Sequence, residues 1–596
     1  MSEEKKKGLD GRLLRRIISY LEPYKIWVGV AFITVLVVAF LGPLRPKLVQ
    51  ITIDQDIVTG DLEGLRNMIM LLFGILVAEG LLSFVNAYLT QWIGQQAIYD
   101  LRTKLYRHIQ RQSLRFFDTT PIGRLITRVT SDVESLSQVL SAGVVTILGD
   151  LFKLIFISWF MFSLNWELAL LTLAVMPLMV YATFWFKRKV RVAYRETRTQ
   201  VARLNSFLQE HISGMKIVQL FGREEEEMNR FKAINDEHRQ AHIRTIFYYA
   251  LFFPLVDLVA TIALGLVIWF GGLNAMQGTL TLGVLIAFIQ YARQFFEPIR
   301  NLSDQFNTLQ SAMAGAERIF DLLDSDLSIS EEESPVDFKT VDGRIEFRNV
   351  WFSYDPKIDS EDDEADWILR DVSFSVNPGQ SLAIVGATGA GKSTVINLLL
   401  RFYDIQRGSI LVDGVDITSI SLADLRSHIG LVLQDVFLFS GTIRDNITLR
   451  NDEITDERMK RAAASIGASA FIERFSAQYD YEVRERGMSL SHGQRQLLSF
   501  VRALVYAPRI LVLDEATSSV DTETEEAIQN ALERLMKDRT SVAIAHRLST
   551  IQHADKILVM HRGQVRESGS HQELISQDGL YRKLYELQYQ EQKALA

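Results

Sequence analysis

Residues 26–305 are dominated by six apolar runs, near 26–49, 68–93, 137–163, 167–187, 246–271 and 278–300. Each approaches or exceeds the ~20 residues that an α-helix needs to cross a bilayer. In hydrocarbon a backbone N–H or C=O has no water to turn to, so runs of this length specify helices that satisfy their own hydrogen bonds. The remainder of the 596 residues is much less apolar, and the averages of 48% hydrophobic and 23% charged conceal two unlike halves. A chain this long is expected to hold at least two domains.

The charges orient the spans. Arg102, Lys104, Arg107, Arg111, Arg115, Arg124 and Arg128 lie between the second and third runs, and Lys187, Arg188, Lys189, Arg191, Arg195, Arg198, Arg203 and Lys216 between the fourth and fifth. The opposite loops are short or acidic, as at Asp54, Asp56, Asp61 and Glu63. Basic loops stay on the cytoplasmic side, which places both termini there. Residues 95–112 contain good helix formers and no proline or glycine, so the second span is expected to continue into water. Glu79, Asp150, Lys153 and Asp257 fall inside apolar runs, where a charge is costly and must face a partner or a cavity. Asp150 and Lys153, three residues apart, are expected to pair on one helix face. Glu79 and Asp257 are candidates for contact with a cationic substrate or for carrying a proton.

Other features exclude. With no cysteine there is no disulfide, thiol catalysis or cysteine-ligated metal. A net charge of −8 argues against a nucleic-acid partner. The opening MSEEKKK has neither the apolar core of a signal peptide nor the arginine-rich, acid-poor character of a transit peptide.

After an acidic linker, SDLSISEEESP at 325–335, short β-rich runs alternate with helical ones. SLAIVGATGAGKST at 381–394 is a buried strand followed by a full P-loop pattern, with Gly386, Thr388, Gly389, Ala390, Gly391, Lys392, Ser393 and Thr394 as candidate ATP-binding residues. Its glycines let backbone N–H groups close around phosphate at the positive end of the next helix. Lys392 would reach the β- and γ-phosphates and the Ser393 hydroxyl would ligate Mg²⁺. RILVLDEAT at 509–517 ends a strand in Asp514 and Glu515. One carboxylate there can hold Mg²⁺ through its water shell and the other can polarise an attacking water. A P-loop alone does not separate a kinase or GTPase from a transport motor.

Leu490-Ser491-His492-Gly493-Gln494 resembles the signature of ATP-binding cassette (ABC) proteins, with histidine where glycine is usual. Across essentially the whole chain the resemblance is to ABC exporters. It implies a multi-domain membrane protein: an all-α transmembrane domain of six helices followed by a P-loop α/β ATPase domain. The corresponding division is a cytoplasmic segment 1–25, a membrane domain 26–322, a linker 323–343, a nucleotide-binding domain 344–580 and a tail 581–596. The resemblance makes Tyr354 the aromatic that stacks on adenine and Gln434 the Q-loop residue near Mg²⁺. It makes Ser518 to Asp521 the D-loop and His546 the switch histidine at the γ-phosphate. Glu515, His546 and Gln434 are thus the catalytic candidates, and Ser393, Gln434 and Asp514 the metal candidates. Residues 116–133 and 213–227 look like the two cytoplasmic coupling regions, and 311–323 like the junction after the sixth helix.

By the same resemblance Ser491, His492, Gly493 and Gln494 cap ATP held by a second cassette, so one chain builds no complete site. Every catalytic position is retained here while the signature, and Arg484 beside it, departs from the usual pattern. That combination resembles the competent member of a heterodimer whose other chain lacks the catalytic glutamate. The expected activity is ATP-driven export of amphipathic compounds across the bacterial inner (plasma) membrane, with ATP and Mg²⁺ as cofactors and a second half-transporter, the bilayer and the substrate as partners. Phe84, Trp159, Phe160, Tyr248, Phe252 and Phe253 in the spans suit a hydrophobic cargo. A homodimeric lipid flippase is the first alternative and a non-transporting ABC sensor the second. The acidic insert 358–366 is expected to be a solvated loop.

Overall fold

A computed structural model describes residues 11–325, 328–355, 366–514, 522–545 and 551–595. The chain divides into two compact units, residues 1–110 with 122–325 and residues 111–121 with 326–596.

The first unit is helical: α1 (Gly11–Ser19), α2 (Lys25–Ile51), α3 (Leu62–Gln110), α4 (Val144–Leu164), α5 (Met176–Ser213), α6 (Glu224–Met276) and α7 (Leu282–Asp324), with shorter helical turns between them. Among the described residues five helices are long and apolar enough to cross a membrane, spanning 22–57, 62–110, 122–164, 166–213 and 224–276. The sixth expected run opens α7, where Gln290, Arg293, Gln294 and Glu297 dilute its apolar character. At 1.5 Å per residue, α3 is about 74 Å long against a hydrocarbon core of about 30 Å. It runs unbroken through residues 95–110, as the absence of proline and glycine there predicts.

Local chemistry sets the helix ends. The Thr281 hydroxyl accepts from Val284 N–H at the start of α7. Four carboxylates, Glu224 to Glu227, occupy the first turn of α6, where the exposed N–H groups favour negative charge. Phe186 of α5 stacks on Phe252 of α6 at 3.9 Å, and Arg203–Glu237 and Arg244–Glu196 pairs join the same two helices further along. Fully buried Tyr291 donates to the Pro43 carbonyl at 2.7 Å and ties α7 to α2. Ser141 approaches α3 so closely that a Cβ at Gly94 would lie 2.0 Å from its Oγ.

Two of the ions inside the spans, Lys153 and Glu79, find partners on other helices. Lys153 makes its direct ion pair with Glu297 of α7, at 3.2 Å, while Asp150, three residues away, still feels the Lys153 charge. Glu79 of α3 pairs with Arg45 of α2, also at 3.2 Å.

In the second unit a six-stranded sheet runs in the order β12-β11-β3-β10-β9-β6. Its strands are β3 (Ser381–Val385), β6 (Ile429–Val432), β9 (Ile510–Asp514), β10 (Thr540–Ile544), β11 (Lys556–His561) and β12 (Gln564–Gly569). Only β12 is antiparallel to its neighbour. A second sheet, β2-β1-β4-β5, is antiparallel and comprises β1 (Ile345–Phe352), β2 (Leu369–Val376), β4 (Arg407–Val412) and β5 (Val415–Asp416). β7 (Gly441–Thr442) and β8 (Glu482–Val483) form a small ribbon. One core joins β1 and β4 to helix α8 (Lys392–Leu399) and to Ile384, Val512 and Val542. A separate core joins helix α9 (His492–Tyr506) to Leu511, Leu513 and Ala543, the alternate residues of the same strands. Period-two alternation thus lets one sheet serve several cores, a third of which holds Ala383, Val385, Ile557 and Val559. The short helix Leu114–Thr119 belongs to this unit, with Phe116 buried.

Within the first unit, Asp132 has 6% of its side chain exposed and accepts two bonds from Arg318, at 2.9 and 2.5 Å. Arg318→Ala leaves that carboxylate without its cation. The expected loss is about 1–3 kcal/mol, reduced because the guanidinium is half exposed. A thermal midpoint in detergent several degrees below wild type would agree, and an unchanged midpoint would show that the pair does not hold the fold.

Candidate nucleotide site

Four neighbouring parallel strands, β3, β10, β9 and β6, end at one edge of the large sheet. Ile384 is opposite Ile544, Ile544 opposite Asp514, and Val432 opposite Leu513. Gly386, Asp514 and Gln434 therefore all come at the carboxyl ends of these strands, the place where open parallel sheets bind ligands.

The loop after β3 is built from backbone conformations that only glycine adopts easily. Gly386, Gly389 and Gly391 have φ of 155°, 80° and 98°. A Cβ at Gly386 would lie 2.3 Å from the Met560 carbonyl oxygen. Ala390 is buried and anchors the loop in the core. Lys392, 8% exposed, donates through Nζ to the carbonyls of Gly386 at 2.8 Å and Ala387 at 3.1 Å. Burial lowers its pKa, and the nearby Asp514 carboxylate opposes that shift. The ammonium is thus held at the mouth of the loop, where phosphate oxygens would compete for its protons. Thr388 and Gly389 are exposed on the loop, and Ser393 is exposed in the first turn of α8.

An aromatic platform stands beside this cradle. Tyr354 is 39% exposed, and its hydroxyl lies 3.2 Å from Thr394 Oγ1. Phe352 and Tyr403 pack edge-on against its ring at 4.9 and 5.1 Å. A side chain held this way can offer a ring face to a flat base.

Ser393, Asp514 and Gln434 supply hydroxyl, carboxylate and amide oxygens, hard donors that fit Mg²⁺. Among the described residues no cluster of three or more His, Asp or Glu would hold a metal unaided. Such a set suits an ion that also takes phosphate oxygens. Glu515, Ser518 to Asp521 and His546 lie outside the described residues, as does 358–365 of the acidic insert.

The signature sits elsewhere, at the N-terminus of α9, with Leu490 in the second core. Ser491 caps the helix: its Oγ accepts from Gln494 N–H at 3.3 Å, and Gln494 Oε1 accepts from Ser491 N–H at 3.0 Å. This capping box, legible in the Ser-x-x-Gln spacing, gives both residues a structural task and leaves the Ser491 hydroxyl proton free to donate. Gly493 is buried, and His492 is half-buried with no hydrogen-bond partner for Nδ1 among the described residues. Arg495 steadies the turn by donating to the Leu490 carbonyl at 3.1 Å.

The sequence profile of the ABC transporter transmembrane region matches residues 28–299, and that of the ABC transporter ATPase matches 369–518. An ABC transporter ATP-binding protein of Bacillus subtilis, YknV, is 39% identical over 96% of this chain and 94% of its own length. The chain belongs to the ABC transporter family. Its other relatives include the ATP-dependent lipid A-core flippase of Syntrophus aciditrophicus, 36% identical over 98% of this chain and 95% of the flippase. The putative multidrug export ATP-binding/permease protein YgaD of B. subtilis is 35% identical over 97% of this chain and 99% of its own length. This ABC half-transporter is a multi-pass membrane protein that hydrolyses ATP to drive transport.

Removing the aromatic platform with Tyr354→Ala is expected to weaken ATP binding by about 1–3 kcal/mol, roughly a 5- to 150-fold rise in Kd. Tyr354→Phe, which keeps the ring, should stay near wild type. A titration with a fluorescent ATP analogue decides, and an unchanged Kd for the alanine variant would remove Tyr354 from the site.

Proposed function

We propose that this ABC transporter is the catalytically competent half of a heterodimeric exporter that moves amphipathic, hydrophobic compounds out across the bacterial plasma membrane. The observation that carries the reading is the separation of the cradle from the signature. Gly386, Lys392 and Asp514 share one sheet edge, while Ser491 to Gln494 cap a helix rooted in a different core. The chain offers one of each, so two complete sites need a second cassette.

In this reading the P-loop residues from Gly386 to Thr394 hold the phosphates and Tyr354 stacks on adenine. Ser393, Asp514 and Gln434 would hold Mg²⁺, which when bound neutralises charge on the β- and γ-phosphates. Glu515 orients or deprotonates the attacking water, His546 contacts the γ-phosphate, and Asp521 serves the D-loop. Ser491, Gly493 and Gln494, with His492 among them, face ATP on the partner. Closure and opening of paired cassettes then bias the membrane helices between two states through their differential affinity for nucleotide. Residues 26–322 form the membrane domain and 344–580 the nucleotide domain, with both termini cytoplasmic. The relatives named for lipid A-core flipping and for multidrug export support a hydrophobic, amphipathic cargo. The first of these favours a second reading, a homodimeric lipid flippase.

ATPase activity of the purified chain alone in lipid separates the two. The heterodimer predicts a folded chain that binds ATP with little turnover until a partner lacking the catalytic glutamate is added. Within the complex, Glu515→Gln should cost about 10²- to 10⁴-fold in rate. Robust turnover by the chain alone, abolished by the same change, would mean a working homodimer.

A further inference from the structure

The aromatic platform of the nucleotide site is wired to the short helix Leu114–Thr119. That segment lies between two membrane helices in the sequence yet packs within the second unit. Arg115 donates through Nη2 to the Tyr354 carbonyl at 2.5 Å. Three residues on, Asp118 accepts a hydrogen bond from the Tyr403 hydroxyl. Tyr403 is 8% exposed, and its ring packs edge-on to Tyr354 at 84°. Burial first, and then the Asp118 bond, push its pKa up, so the phenol keeps the proton it donates. Phe352 packs against both tyrosines, at 4.9 and 5.7 Å. At its other side Tyr354 meets Thr394 through the hydroxyl, in the first turn of α8.

An unbroken series of contacts therefore runs from the phosphate cradle, through Thr394, Tyr354 and Tyr403, to Asp118. Close packing makes the series hard to deform piecemeal: Tyr354 cannot rotate onto a base without displacing an edge-packed ring. A buried phenol whose hydroxyl is already committed to a carboxylate passes that displacement on or loses its bond, an outcome costly for a buried donor.

We propose that Tyr403 is a positioning residue that reports occupancy of the adenine platform to the helix Leu114–Thr119 through its bond to Asp118. Tyr403 does not touch the reacting atoms. Its role is to make the conformation of the short helix depend on whether a base lies on Tyr354. The proposal uses Tyr354 as the adenine platform, as the functional reading does, but is independent of cargo and of homo- or heterodimer pairing.

The absence of cysteine in the chain makes the test direct. Thr119→Cys, labelled with an environment-sensitive fluorophore in the full chain in lipid, reports on the helix, while a non-hydrolysable ATP analogue fills the site. The analogue should shift the emission of the otherwise wild-type protein. Tyr403→Phe should bind the analogue within about threefold of wild type, since only one hydrogen bond is lost, yet give little or no shift. Asp118→Ala should behave the same way, and Asp118→Asn, whose amide oxygen still accepts, should keep the shift. A full shift in Tyr403→Phe overturns the proposal. So does joint loss of binding and shift, which would make Tyr403 plain support for the platform. Neither result bears on whether the chain is an ATP-driven exporter.

Discussion

The parallel register of β3, β10, β9 and β6 is the constraint on which the nucleotide chemistry depends. Parallel strands point their carboxyl ends the same way, so residues distant in sequence, Gly386, Gln434 and Asp514, come to the same edge of the sheet. A slip of one residue would turn every inward side chain outward and would also carry Asp514 away from Lys392. The register is secured because the strands are buried on both faces, one face contributing Ile384, Val512 and Val542 to the first core and the other Leu511, Leu513 and Ala543 to the second, with Ala383 and Val385 of β3 in a third. The Gly386 backbone then turns at a spot where a Cβ would collide with the Met560 carbonyl, so the neighbouring strand β11 also shapes the loop.

The membrane unit solves a different problem. Its charges sit where water is scarce, and the structure answers with partners on other helices: Arg45 for Glu79 and Glu297 for Lys153. These pairs join α2 to α3 and α4 to α7, so the ions that look like functional groups in the sequence double as fasteners between spans. The fully buried Tyr291 does similar work with one neutral hydrogen bond.

Much of this was legible in the sequence because it is local. Apolar runs specified the helices, LAIV specified β3, and the glycine spacing of the P-loop followed from φ values that other residues avoid. The unbroken helix through residues 95–110 followed from the absence of breakers. What escaped was set by tertiary partners. Asp150 and Lys153 are neighbours on one helix face, yet Lys153 turned to a residue 144 positions away. Tyr403 and Asp118 are 285 positions apart, and no periodicity links them. Polar side chains in α7 blurred a sixth run that looked apolar in isolation. The Ser491–Gln494 capping box is local and is spelled out in the Ser-x-x-Gln spacing.

We propose that one sheet edge assembles both the phosphate cradle and the oxygen donors for Mg²⁺. Equilibrium binding of ATP to the purified chain, with Mg²⁺ and with a chelator, tests it most directly in wild type, Lys392→Met and Asp514→Asn. Lys392→Met is expected to lose binding in both conditions, whereas Asp514→Asn loses only the increment that Mg²⁺ provides. Binding indifferent to Lys392, or a Mg²⁺ increment untouched by Asp514→Asn and by Gln434→Ala alike, would contradict it.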